Sequence, residues 1–497
     1  MYAKLRLKCM QKDDLVWEKL ENDMDEWDAS VRTSDVYASV VAFILKHKPG
    51  KGKKMHSAVR GGYNTVYQLE YEDGTSVIMR VPVKDVVGSS EEKVLYEVAT
   101  MRYVAEHTSI PVPRVYCHGT AKDNPTGLGP FIIMDYIEHH QNMSRALLDP
   151  KRDIDERPVL DPNITEEKLE YLYSQMADIL LQLSHLQFPR IGSLIEDPRD
   201  GSVFVGGRPL TANMNDISIH TNAPPSVLPT RTKTYSTAEE WYRALSDMHM
   251  IQLAFQHNDA VEDEDDARDK YVARLLYRQL AIRGQLFDET KEFDGQFRLF
   301  SEDLRPTNVL LDKDLKVVGV IDWEFAHVAP AQFAFDPPWW LLLLEPEDWE
   351  DGYDGWMKAY EPRLETFLRV LRAEEDKMAA EQGLDASLKG LTLQQGKPTE
   401  KLLSERMRES WATRRWMVNY AARKSWSFDF VWWRFLDQRY FGPNEVEDHQ
   451  ERLSQLSEEQ KSAMVECVSR KVREKSEAKI VHWEDKGAAG LLESMLV

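Results

Sequence analysis

The hydrophobic period of the chain changes three times over residues 64–186, and that alternation limits its fold more than any single motif does. Between residues 64 and 83, "NTVYQLEYEDGTSVIMRVPV" carries Val66, Leu69 and Tyr71 before Asp73-Gly74, then Val77, Ile78, Met79 and Val81 after it. Asp-Gly supplies the positive φ that a tight turn needs, so the stretch predicts a β-hairpin. The spacing then becomes helical. Val94, Leu95, Val98, Met101 and Val104 fall on one helix face that ends before Pro111 and Pro113. "GPFIIMDYIEH" (129–139) predicts a further buried strand leading into a linker. From residue 163 the character is helical, with Asn163 and Glu166 placed for a capping box and Leu169, Leu172, Met176, Ile179, Leu183 and Leu186 forming an apolar face. Strands with one helix, followed mostly by helices, predict a two-lobed α+β layout.

One segment of the helical half breaks the pattern. "LFSEDLRPTNVLLDKDLKVVGVIDWEFAH" (299–327) sets Asp303, Asn308 and Asp322 beside the apolar runs "NVLL" and "VVGVI". A hairpin through "DKDLK" would bring Asn308, at the start of one strand, near Asp322, at the end of the other. Phosphoryl transfer needs a carboxylate to position and deprotonate a hydroxyl, and oxygen ligands to hold Mg²⁺ against nucleotide phosphates. An acid, an amide and a second acid supply those groups. Taken alone, D-x4-N also fits a plain turn or cap.

The segment resembles the H-G-D-x4-N and I-D-[WF] motifs of the aminoglycoside phosphotransferase-like family, which has a protein-kinase-like fold. Residues 56–375 resemble fungal members in several further blocks in the same order, among them "RGGYNTVYQLEYEDG", "IPVPRVYCHG", "LGPFIIMDYIE", "FPRIGSL" and "DPPWWLLL". The resemblance implies a bilobal α+β fold with a nucleotide-binding lobe over 51–138 and a catalytic lobe over 139–380; outside it, residues 1–50 and 381–497 read as helical N- and C-terminal extensions. It implies Asp303 as catalytic base, Asn308 and Asp322 as Mg²⁺ ligands, and ATP as phosphate donor to a hydroxyl of a small molecule.

Other roles follow from the same resemblance. Arg80 stands where a small-lobe lysine is expected, with Glu97 of the next helix as its partner, and Arg offers phosphate a planar fork where Lys offers a point charge. Gly61, Gly62, Asn64 and Thr65 would form the phosphate-covering loop, although a plain turn has the same composition. Met134, Asp135 and Ile137 would line a hinge against adenine. Arg305 would stabilise phosphate charge or pair with Glu302, Glu324 would add a metal contact or face solvent, and Asp336 before Pro337 reads as a helix N-cap. Ser301-Glu302 replaces the family's His-Gly. That departure and Arg80 leave open a second reading, a pseudokinase scaffold with little or no catalysis.

Composition narrows the partners. Sixty-three basic against 84 acidic residues give a formal charge of -21, which repels nucleic acid and anionic lipid. The acidic run Glu262 to Asp266 reads as a solvated helix face, and the Trp-rich stretch from Trp411 to Trp433 as a packed helix pair. "VYASVVAFIL" and "WWLLLL" are far shorter than the roughly 20 residues of a spanning helix, so no membrane span is expected. Three widely spaced cysteines (Cys9, Cys117 and Cys467) and the absence of a signal-peptide pattern suit a cytoplasmic protein.

Overall fold

The computed structural model describes residues 12–152, 156–287, 295–388 and 401–497. Cys9 and most of the polar stretch after residue 388 lie outside them. The chain opens with α1 (Asp14–Ser30) and α2 (Ser34–His47), followed by β1 (Gly52–Met55), β2 (Val59–Arg60), β3 (Asn64–Tyr71) and β4 (Ser76–Pro82). Next come α3 (Ser90–His107), β5 (Val115–Gly119) and β6 (Phe131–Asp135). The strands form one antiparallel sheet in the order β1-β3-β4-β6-β5, with β2 paired to β3. The expected hairpin is β3–β4, in register from Asn64↔Pro82 to Glu70↔Ser76. Gly74 takes φ +83° at its turn, and the Asp73 carboxylate accepts the Thr75 amide at 2.9 Å.

The two-residue alternation of strands decides which side chains meet which helix. Val77, Met79 and Val81 of β4, with Phe131 and Ile133 of β6, pack against Val40, Phe43 and Ile44 of α2. Ile132 and Met134 face the other way, into the core that includes Val94, Val98 and Met101 of α3. The N-terminal helices thus cover one sheet face and α3 covers the other. The first described residues also reach the large lobe: buried Asp13 caps α1 and accepts two bonds from the Asn258 side chain, at 2.9 and 3.0 Å.

Among the described residues the large lobe is mainly helical, with three small sheets. Strands β7 (Gln141–Asn142), β12 (Val309–Leu311) and β13 (Val317–Val320) form one, and β8 (Gln187–Phe188), β11 (Phe297–Phe300) and β14 (His327–Pro330) another. A third pairs β9 (Ser193–Glu196) with β10 (Val203–Gly207). Helix α4 (Glu166–Ser184) buries Leu169, Leu172, Met176, Ile179 and Leu183 as its period predicts, and Tyr173 packs edge-on against Phe367, 5.7 Å away. The capping box differs from expectation. Asp161 holds the Asn163 amide in a turn at 2.9 Å, so the helix starts later and Thr165 is the N-cap, accepting the Lys168 amide.

Helices α5 (Ala238–Phe255), α6 (Glu264–Ile282), α7 (Gly352–Leu388), α8 (Leu403–Ala412) and α9 (Arg415–Arg423) complete the elements needed below. The acidic run is an exposed start of α6, with Asp263 as N-cap. The Trp-rich stretch is core: Trp411 and Trp416 stack with centroids 5.2 Å apart, beside Trp356 and Tyr360 of α7. Cys117 and Cys467 are free thiols. No helix among the described residues is long and apolar enough to cross a membrane.

Candidate active site

The site is built where the small lobe meets the β12–β13 hairpin. Because Met79 and Val81 face α2, Arg80 between them faces α3 and the cleft. Its guanidinium ion-pairs with Glu97 of α3 and lies 2.6 Å from Asp322 Oδ1. Arg80 and Glu97 are both buried. Burial pushes the Glu97 carboxyl above the ordinary carboxylate range, against the opposing pull of Arg80 and Lys93.

The hairpin does what its sequence predicts. Val309 pairs with Val320, and the Ile321 amide donates to the Asn308 carbonyl at 2.9 Å, which sets Asn308 next to Asp322. Asp322 and Phe325 both have left-handed backbones, φ +59° and +61°. Such conformations cost non-glycine residues about 1–3 kcal/mol each and cluster at functional sites.

Asp303 stands opposite Asp322. Its Oδ2 accepts from Asn308 Nδ2 at 2.8 Å, the same amide nitrogen donates to the Asp303 carbonyl at 2.9 Å, and Arg305 Nε lies 2.8 Å from Asp303 Oδ1. Arg305 therefore pairs with Asp303, and the expected pairing with Glu302 does not form. Carboxylate oxygens of Asp303, Asp322 and Glu324 lie within 4.8 Å of one another, close enough to hold a metal ion. Burial, reinforced by the charges of Asp322 and Glu324, raises the Asp303 carboxyl to about 6, with Arg305 and Asn308 opposing.

Sequence reasoning missed Lys93. Its side chain is fully buried; the ammonium ion-pairs with Glu324 and donates to Asn64 Oδ1 at 2.7 Å. Asn64 Nδ2 in turn donates to Glu324 Oε2 at 2.9 Å. The view of Glu324 as a solvent-facing carboxylate is corrected: it is 3% exposed. Burial works to raise its pKa, but Lys93 and Arg80 outweigh that and hold it below the ordinary range. The signal was available, because Lys93 precedes Glu97 by four residues and so shares its helix face.

The remaining expected residues separate. Gly61 and Gly62 are exposed at the tip of the β2–β3 turn, closed by the Gly61 amide donating to the Asn64 carbonyl at 2.8 Å. Asn64 and Thr65 point inward and are buried, the former into the Lys93–Glu324 contact just described. Tyr63, also unanticipated, sets its ring edge-on against Phe325, 5.3 Å away, and so lies over the Asp322 turn. At the expected hinge, Met134 is buried in the core. The Asp135 amide donates to the Arg114 carbonyl at 3.0 Å, so that group is not available to an adenine edge. The Asp135 side chain accepts from Tyr116 at 2.5 Å, and the Ile137 carbonyl lies 2.8 Å from His139 Nδ1.

Two positions are held from an unforeseen direction. Asp336 is not a helix N-cap: Pro337 and Pro338 keep the chain extended and the next turn begins at Trp339. Its carboxylate instead accepts Ser410 Oγ at 2.5 Å and Asn419 Nδ2 at 2.7 Å, from α8 and α9. Glu302 lies 3.6 Å from Arg423 Nη1, also in α9.

A small sheet-based lobe, a mainly helical lobe, and an acid–amide–acid loop closing on a buried Arg–Glu pair define a kinase-like phosphotransferase architecture. The sequence profile of the Phosphotransferase enzyme family matches residues 56–371, almost two thirds of the chain, and the protein belongs to that family. A subtelomeric hrmA-associated cluster protein of Aspergillus fumigatus is 28% identical over 134 residues, 27% of this chain and 23% of that protein. The altered inheritance of mitochondria protein 9 of Yarrowia lipolytica, named as mitochondrial, is 25% identical over 356 residues, 62% of this chain and 58% of its own length. Among solved structures, a macrolide 2'-phosphotransferase type I aligns at 13% identity and TM-score 0.36, covering 80% of this chain and 96% of that one. The matched stretch spans under two thirds of both curated relatives. The expectation of a cytoplasmic protein is corrected by the yeast relative, whose name points to mitochondria.

Proposed function

We propose that the protein transfers the γ-phosphate of ATP to a hydroxyl of a small molecule, with Asp303 as the base and Asn308 and Asp322 as Mg²⁺ ligands. The observation that carries this reading is the convergence of Asp303, Asn308, Asp322 and Glu324 on one point of the cleft beside the Arg80–Glu97 pair. The oxygen-rich donor set fits a hard divalent cation. When bound, Mg²⁺ neutralises phosphate charge during transfer.

The chain's own residues account for the rest. A carboxyl held near 6 is mostly ionised at neutral pH yet basic enough to take a hydroxyl proton, which is the compromise a general base requires. Asn308 fixes its orientation through Oδ2, and Arg305 faces its other oxygen, where it can also meet negative charge on the transferring group. Arg80, anchored by Glu97 and 2.6 Å from Asp322, would present a cation to the nucleotide phosphates. Tyr63 and the exposed Gly61-Gly62 turn would close over the phosphates.

The test is a screen of hydroxylated metabolites with γ-labelled ATP and Mg²⁺. Label transfer that persists in Asp303→Ala would refute the assignment of the base, and failure of the protein to bind ATP at all would refute the reading as a whole.

A further inference from the structure

The loop that carries Asp303 has two sides. Its cleft side is pinned by Asn308 and Arg305. Its underside, formed by Phe300, Ser301 and Glu302, faces a cavity of about 80 Å³ that Asp336, Trp411, Trp416 and Arg423 also line. Close packing does not fix a loop above empty space, so its position depends on the directed contacts that remain.

Those contacts converge on Arg423, the last residue of α9. Its guanidinium sits 4.8 Å from the ring centre of Phe300 and 5.0 Å from that of Phe333, with Nη1 3.6 Å from Glu302 Oε1. The arginine is itself fixed, because its Nε donates to the Asn419 carbonyl at 3.1 Å. Asn419 is fully buried; its side chain donates to Asp336 at 2.7 Å and accepts from Tyr242 at 2.6 Å. Hydrogen bonds at the Asn419 side chain and backbone thus tie Tyr242 of α5 and Arg423 to one residue, and an ion pair carries the link from Arg423 to Glu302, the neighbour of Asp303.

We propose that Arg423 is a positioning residue that sets Asp303 from beneath, so that α9 of the C-terminal region is part of the transfer machinery although it touches no reacting atom. A flat, delocalised cation suits this place, since it can stack on two rings and pair with a carboxylate at once. Lys would keep the charge and lose the stacking. The inference rests on the reading of Asp303 as base, and the experiment below separates the two.

Hydrogen exchange of the 299–308 segment is measured in wild type, Arg423→Met, Arg423→Lys and Glu302→Gln, with β3 and β4 as an internal reference, alongside steady-state turnover of ATP. In Arg423→Met we expect exchange in 299–308 to accelerate about tenfold or more with the reference strands unchanged. Turnover should fall on the order of 10- to 100-fold at an unchanged KM for ATP, as for a misplaced base. Arg423→Lys should recover part of both, and Glu302→Gln should reproduce the exchange change more weakly. Should Arg423→Met prove too unstable, Arg423→Lys and Glu302→Gln decide alone. Unchanged exchange and turnover in the variants, or acceleration spread equally over the reference strands, overturns the proposal. Faster exchange in 299–308 with turnover untouched would overturn the positioning role and leave only a structural brace, whereas turnover that persists in Asp303→Ala would sink the base assignment itself.

Discussion

The cleft side and the underside of the Asp303 loop are held by opposite strategies. On the cleft side, charged groups crowd together: buried Arg80, Lys93, Glu97 and Glu324, with half-buried Asp322 at their edge, form an ionic cluster contributed by three short segments of chain. On the underside, one arginine stacks on aromatic rings, and two carboxylates lie beside it: Glu302 paired with Arg423, and Asp336 held by the neutral donors Ser410 and Asn419. The first arrangement is costly to hold without ligand, because buried charges lose solvation that their partners only partly restore. The second separates its two carboxylates and gives each its own partners, an arrangement that suits a group that must stay still. The comparison teaches that the face meeting substrate is poised, and the face behind it is fixed.

Removing the base should break the comparison most severely. Asp303→Ala is expected to lower phosphate transfer by about 10³-fold or more, the range in which general-base contributions and lost positioning combine, while ATP binding persists. A radiolabel transfer assay on any acceptor that the screen identifies checks it. Arg80→Met comes next. It leaves buried Glu97 and half-buried Asp322 without their shared partner; stranding a buried charge typically costs about 3–5 kcal/mol, and chemical denaturation should register a loss of that order. A loss below about 1 kcal/mol would mean that the cleft cluster is not the strained side.

The poised character of Asp303 has a pH signature. Its carboxyl is raised to about 6, so turnover should rise as pH passes upward through about 6. The linked stability has the opposite sign to that of a salt-bridged acid. A raised folded value means stability present below the ordinary unfolded range and lost as pH climbs through about 6. Asp303→Asn, which cannot ionise, should therefore be more stable than wild type at pH 7.5 by on the order of 1–3 kcal/mol and melt higher, with the difference closing as pH falls toward 4. Equal melting temperatures across that range would contradict the burial argument. The smallest effect expected is at a site remote from both faces: Thr165→Ala, which removes the N-cap of α4, should cost about 1 kcal/mol in denaturation and leave transfer unchanged.

How far the sequence could be read follows the same division. The hairpin β3–β4 and the meeting of Asn308 with Asp322 were legible because strand alternation and Asp-Gly turn chemistry act over a few residues. Helix α4 was legible in its apolar period, while its start was not, since an Asp161 side-chain turn competed with the apparent capping box. Lys93 stood four residues before a residue already singled out and was passed over. Arg423, Asn419 and Ser410 were beyond reach. They act on Glu302 and Asp336 across 74 or more residues of chain, and no local spacing encodes such contacts. At the expected hinge, the use of the Asp135 amide by the Arg114 carbonyl was illegible for the same reason, since the pairing joins strands distant in sequence.

The most direct test of the central claim is the melting temperature of wild type and Asp322→Ala with saturating ATP, with and without Mg²⁺, because a ligand that binds the folded state must raise it. The account predicts a Mg²⁺-dependent rise in wild type that is lost in Asp322→Ala. No rise in wild type, or an equal rise in both proteins, would contradict a metal–nucleotide site at Asp322 and with it the proposed transfer.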